Sequence, residues 1–159
     1  MRIGVISDTH GDQLTTLQAV RVFESMRVDR VIHCGDVGGA AIVELFSRWP
    51  FHAVAGNMDL VVELRSAMMA AGQHFHDFFA ELEWAGVRIA VLHGDDPHLM
   101  RRAIEQKFDL ICSGHTHVEH SHREGHALCL NPGAIYRTSR PSVATVDLPG
   151  LDCTHIPLQ

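Results

Sequence analysis

Five times in its first 117 residues the chain runs through a short apolar stretch and then turns sharply at side chains able to hold a metal ion. The turns are Asp8-Thr9-His10-Gly11, Gly35-Asp36, Gly56-Asn57, His93-Gly94 and Ser113-Gly114-His115-Thr116-His117. A lone D-x-H, G-D or H-x-H is common by chance, as a turn or a surface pair. Five in order, each just after an apolar run, restrict the chain to folds in which several strand ends meet.

The intervening pattern agrees. Residues 2–7, 30–34 and 51–55 read as short strands. Leu14, Leu17, Val20, Val22 and Phe23 recur at helical spacing behind Asp12, a candidate N-cap, and residues 40–48 form a second helical stretch stopped by Pro50. Strand, helix, strand, helix, strand predicts an α/β fold with parallel pairing and right-handed crossovers. Ligands of such sheets bind beyond the carboxyl ends of the strands, so the first three turns should share one cleft. After a helical stretch at 60–71 the pattern changes. Residues 78–84 and 87–92 flank Ala85-Gly86 as a hairpin, 98–107 is helical behind Pro97, and 110–112 is a short strand. From there Gly125, Pro132-Gly133, Pro141 and Pro149-Gly150 separate short apolar runs, which predicts antiparallel strands forming a second sheet. No repeat or linker interrupts residues 1–159, which read as one domain.

Carboxylate, amide oxygen and imidazole are donors of intermediate hardness, suited to Mn, Fe, Zn, Co or Ni. The chain has 13 histidines against one tyrosine, which raises the expectation of a metal site. In D-x-H and H-x-H, strand-like geometry would put both side chains on one face, and a carboxylate can bridge two cations roughly 3.5–4 Å apart. The net charge of -6, without a run of Lys or Arg, argues against nucleic acid or an anionic membrane as partner. Cys34, Cys112, Cys129 and Cys153 form no C-x-x-C pair and fit reduced thiols. Met1 leads straight into the first strand, with no room for a signal peptide, and no apolar stretch reaches membrane-spanning length. A cytoplasmic location is expected.

The ordered set resembles the calcineurin-type metallophosphoesterase family, and in size and layout its small bacterial and archaeal phosphodiesterase branch, similar also to Vps29. Asn131-Pro132-Gly133 resembles the N-P-G motif that this branch carries after its H-x-H. The resemblance covers nearly the whole chain and implies a four-layer αββα sandwich. It implies two divalent ions, manganese favoured, with Asp8, His10 and His117 on one, Asn57, His93 and His115 on the other, and Asp36 between them. Asp36, Asn57 and His93 are then the expected catalytic residues of a phosphodiesterase in which a bridging hydroxide attacks phosphorus in line. Alternatives within the resemblance are a phosphomonoesterase and a non-catalytic Vps29-like scaffold. The substrate would be a small phosphate ester, and relatives imply dimers or tetramers.

The chain departs from many relatives at Met58, where a histidine can protonate the leaving group. Asp59 is then expected to cap a helix or support the site, and Asp95-Asp96 to form a solvated loop and N-cap. His98 is a candidate substrate contact. His33 reads as core or as a support behind the ligands, Cys34 as packing, and His120, His122 and His126 as surface residues. Phe75, Phe78, Phe79 and Trp84 read as core under the hairpin, with any exposed part a candidate oligomer contact.

Overall fold

Strands covered on both faces need continuous apolar runs, and the first three have them. In the computed structural model, which describes residues 1–159, β1 (Arg2–Ile6), β2 (Arg30–His33) and β3 (Phe51–Ala53) pair in parallel and are buried almost throughout. The crossovers are α1 (Gln13–Met26) and α2 (Ala40–Leu45), while α3 (Val61–Ala70) leads to a short fourth parallel strand, β4 (His74–Phe75). Asp12 caps α1 as expected, its carboxylate accepting the Thr15 N–H at 3.1 Å. Helix α2 ends earlier than residue 48. The N–H groups of Phe46, Ser47 and Trp49 bond to carbonyls three residues back, and the Trp49 indole donates to the Val28 carbonyl at 3.0 Å, tightening the chain into turns before Pro50.

The hairpin of β5 (Phe79–Trp84) and β6 (Val87–Leu92) opens the second sheet. Then come α4 (Pro97–Glu105), β7 (Leu110–Cys112), β8 (His120–Glu124) and β9 (Ala127–Asn131). The last two strands, β10 (Ser142–Asp147) and β11 (Asp152–Pro157), correct the sequence expectation. They return to the first sheet, whose order is β11-β10-β1-β2-β3-β4, and the second sheet is β5-β6-β7-β9-β8. β10 covers the free edge of β1 antiparallel, Gly4 opposite Thr145, and an ion pair between Arg2 and Asp147 at 2.7 Å pins the register.

Three apolar cores define four layers. Phe23, Phe46, Trp49 and Met68 lie between helices α1–α3 and the first sheet. Val5, Ile32, Ile89 and Leu110 fill the space between the sheets. Leu92, Ala103, Phe108 and Ile111 lie under α4. The fold is the expected αββα sandwich of two mixed sheets, with one helix covering the outer face of the five-stranded sheet. No helix is long and apolar enough to cross a membrane.

The aromatic residues after β3 behave differently from a simple core. Phe78 is 50% exposed, and Trp84 instead receives His52 edge-on at 5.0 Å. His52 stacks on His74 at 4.3 Å and shares a hydrogen bond of 3.0 Å between its Nδ1 and His76 Nε2, while its Nε2 is buried without a partner. Burial, then the neighbouring His74, His76 and Arg30, push the His52 pKa down to about 3. The sign follows from linkage. The unfolded chain takes up a proton near pH 6.5 that the folded chain refuses, so stability present above that pH is lost as pH falls through the window from about 6.5 toward 3. We expect this one site to cost about 2 kcal/mol by pH 5. The urea midpoint should therefore fall between pH 7 and pH 5, and less steeply in His52→Gln; equal slopes would show that His52 titrates freely in the folded state.

Candidate metal centre

All five turns come together at one end of the seam between the sheets. Asp8 Oδ1 lies 3.1 Å from His117 Nε2 and 3.8 Å from His10 Nε2. Asp36 Oδ2 sits between two imidazoles, 3.5 Å from His10 Nε2 and 3.3 Å from His93 Nε2. Asn57 Oδ1 is 3.0 Å from His93 Nε2. Ligand atoms of Asp8, His10 and His117 lie within 4.8 Å of one another, as do those of Asp8, Asp36 and His93. His115 stands further out. Its ring centroid is 5.1 Å from that of His93, it is exposed, and its nitrogens belong to neither group.

The local backbone corrects one expectation. D-x-H and H-x-H are not strand-like: Asp8, His10, Asp36, His115 and His117 have φ of 55°, 45°, 55°, 67° and 60°. The Asp8, Asp36 and His115 turns leave their strands and coil through the left-handed region, which costs an ordinary residue on the order of 1–3 kcal/mol. The side chains of each pair meet because the chain turns back on itself, and the surroundings must hold it there. Two glycines permit the close approach. A Cβ on Gly56 would collide with Asp36 Oδ1, and one on Gly114 would collide with Ser7 Oγ and crowd Asp8 Oδ2.

Electrostatics at the site favour a cation. Asp8, Asp36 and His93 are 0%, 3% and 2% exposed, and a buried charge needs a partner. Asp8 Oδ1 and His10 Nε2 are buried without a hydrogen-bond partner. Burial opposes charge on His93, but hydrogen bonds to Asp36 and the Cys34 carbonyl, with the field of Asp36 and Asp8, hold its pKa up at about 9. Burial likewise disfavours ionised Asp36, and His93, the Met58 N–H and His10 overcome it, leaving the carboxyl below its usual range. His93 Nδ1 donates to the Cys34 carbonyl at 2.8 Å, which turns Nε2 toward the carboxylates. Oxygen and imidazole donors with unsatisfied atoms facing one another fit divalent ions of intermediate hardness.

Neighbouring side chains brace the turns. Asp59 accepts the N–H groups of Gly56, Val37 and Gly38 at 2.9, 3.1 and 2.9 Å, tying the Asp36 turn to the Asn57 turn rather than capping a helix. Thr9 Oγ1 lies 2.9 Å from His33 Nε2 and donates to the Val37 carbonyl at 2.8 Å, so His33 is a buried strut. Asn131, 1% exposed, donates Nδ2 to the Gly114 carbonyl at 2.8 Å and to Thr116 Oγ1 at 3.1 Å, fastening the H-x-H turn. Asp96 caps α4 as expected. His98, His120, His122 and His126 are exposed. Sequence reasoning missed Tyr136, whose ring packs against His10 at 5.7 Å and whose N–H donates to the Asp8 carbonyl at 3.1 Å. The one tyrosine of the chain, three residues beyond N-P-G, was the available signal.

The model of the calcineurin-like phosphoesterase superfamily domain matches residues 1–150. The chain belongs to this superfamily. Among its relatives, the phosphodiesterase MJ0936 of Methanocaldococcus jannaschii is 27% identical over 154 residues, covering 92% of this chain and 93% of the relative. A solved structure described as a novel archaeal phosphodiesterase superposes with a TM-score of 0.89 at 26% identity, over 99% of this chain and 100% of the other. Zinc-complexed Vps29 from Entamoeba histolytica superposes at 0.65 over 100% of both chains, with 18% identity, a likeness of fold. Two mixed sheets with the ligand-type turns at one rim are what membership of the superfamily leads one to expect. Asn131→Ala should release the Gly114 carbonyl from its side-chain tether and leave the buried Gly133 N–H, which donates to Asn131 Oδ1 at 2.9 Å, without a partner, costing about 1–3 kcal/mol, and weaken metal binding roughly tenfold. Urea titration and calorimetry with Mn²⁺ test both, and an unchanged metal affinity would separate Asn131 from the site.

Proposed function

We propose that the chain is a dinuclear phosphodiesterase acting in the cytoplasm as one domain on a small phosphate diester, with manganese the favoured metal. The observation that carries this reading is the pair of buried carboxylates, Asp8 and Asp36, set among imidazoles with Asp8 Oδ1 and His10 Nε2 unpartnered. Asp8, His10 and His117 would hold one ion, Asn57, His93 and His115 the other, and Asp36 both. The position of Asp36 Oδ2 between His10 and His93 supports the shared role. His115, whose exposed ring lies 5.1 Å from that of His93, would have to turn inward to join that set. When bound, divalent ions polarise phosphoryl oxygens and make water acidic enough to supply a nucleophile near neutral pH. Free thiols at Cys34, Cys112 and Cys129, all buried, support a reducing compartment.

The chain's own residues supply orientation. Because His93 commits Nδ1–H to Cys34, Nε2 is the nitrogen left facing the site, and it would give up its proton to hold a metal. With Oδ1 turned toward His93, the Asn57 amide is left with two N–H donors for a phosphoryl oxygen. Asp36 is held by the Met58 N–H at 2.8 Å, so the residue that replaces a histidine steadies the shared carboxylate through its backbone. Its side chain, 64% exposed at the rim, has no proton to donate.

With Mn²⁺ added, the protein should hydrolyse bis(4-nitrophenyl) phosphate, and Asp36→Ala should lower kcat/KM by about 10³ or more. Metal titration by calorimetry should give two ions per chain, falling toward one in His117→Ala. Full activity in Asp36→Ala would remove the assigned site. Rates should depend steeply on leaving-group pKa, and Met58→His should raise hydrolysis of alkyl diesters about tenfold or more, within the range of general-acid help. An unchanged leaving-group dependence in Met58→His would place proton delivery elsewhere.

A further inference from the structure

The outer face of the second sheet is covered unevenly. Helix α4 has nine residues and lies over β6 and β7, while β8 is exposed along its whole length. Strand alternation sends His120, His122 and Glu124 to the same side as Cys129 and Ile111, since His122 is the register partner of Cys129 and Cys129 that of Ile111. Between helix and bare strand lies a cavity of about 250 Å³. Ile111 and Cys129 form its floor, Met100 and Ile104 its helical wall, and His120 and His122 its outer rim.

One end of this cavity lies beside the ligand turns, where a Cβ on Gly94 would stand 3.9 Å from the Cβ of His115. Gly94 and Gly114 line it, and they are the chain neighbours of His93 and His115, consecutive Cα atoms being about 3.8 Å apart. A substrate with phosphorus between the ligand turns can therefore extend an ester arm along the floor. Thioether, thiol and branched aliphatic groups suit a flat ring, and the near-parallel imidazoles of His120 and His122, 5.5 Å apart, offer hydrogen bonds to its edge. The cavity is smaller than the roughly 300–1,000 Å³ of sites for drug-sized ligands, which suits one ring system. Its lining includes Glu124 and no Lys or Arg, so it has nothing to neutralise a second phosphate.

We propose that this cavity seats the nucleoside arm of a diester carrying a single phosphate, the base on Ile111 and Cys129 with its edge toward His120 and His122. The proposal rests on the phosphodiesterase reading and specifies its substrate class. Two diesters with a common 4-nitrophenolate leaving group test it: thymidine 5′-(4-nitrophenyl phosphate) and methyl 4-nitrophenyl phosphate. The ratio of their kcat/KM values should favour the nucleoside ester by about tenfold or more, as apolar pockets discriminate. In Ile104→Asp, a partly exposed helix position, the ratio should fall to about threefold or less. A ratio near one in the natural chain, or an unchanged ratio in the variant, would overturn the proposal. A readout independent of turnover is the methyl NMR spectrum with thymidine 5′-phosphate. Signals of Ile104 and Ile111 should move while that of Ile42, in the other helical layer, stays in place. If neither diester is hydrolysed, the phosphodiesterase reading fails, and the methyl shifts still decide the cavity: stationary Ile104 and Ile111 signals overturn it.

Discussion

Two carboxylates, Asp8 and Asp36, withdrawn from water at the seam between the sheets, set the terms for the surrounding structure. Taking a carboxylate out of water is costly unless positive charge or donors surround it, and the protein supplies both in part. His10, His93 and His117 bring imidazoles within 3.1–3.8 Å of the two acids. In the absence of cations the raised pKa of His93, about 9, lets a proton carry part of the compensating charge. The site is in this sense charged in advance, and a bound metal would complete a balance that the side chains alone leave short.

Holding that arrangement requires an unusual backbone. Five of the residues concerned lie in the left-handed region, and such strain persists only where neighbours over-determine it. Asp59 gathers three N–H groups from two turns, Thr9 and His33 brace a third, and Asn131 clamps the last. The glycines at 56 and 114 let the turns pass close enough for these bonds to form. Strain, bracing and missing side chains are thus three aspects of one requirement, that turns from both sheets approach within bonding distance.

Much of this was legible in the sequence, and the unequal success has physical reasons. Buried parallel strands announce themselves by continuous apolar runs, as in β1 and β2, and a helix start by its cap, as at Asp12 and at Asp96-Pro97. The hairpin was visible because Gly86, which takes a φ of 76° without strain, stands between two strand-like runs. Which sheet β10 and β11 would join was not visible, since partner choice in antiparallel pairing is a property of the whole fold. β8 is wholly exposed and has no apolar pattern to read. For the site, donor identity and order were legible. The left-handed turns were not, because aspartate and histidine take up φ above zero without a local marker. Tyr136 escaped notice because an aromatic residue reads first as packing.

The three apolar cores contain none of the side chains gathered at the rim. Shape and chemistry are therefore written in different residues of the same chain. Changes at the rim can thus alter the chemistry while leaving in place the packing that sets the shape. That separability lets one architecture outlast any single chemistry carried on its rim.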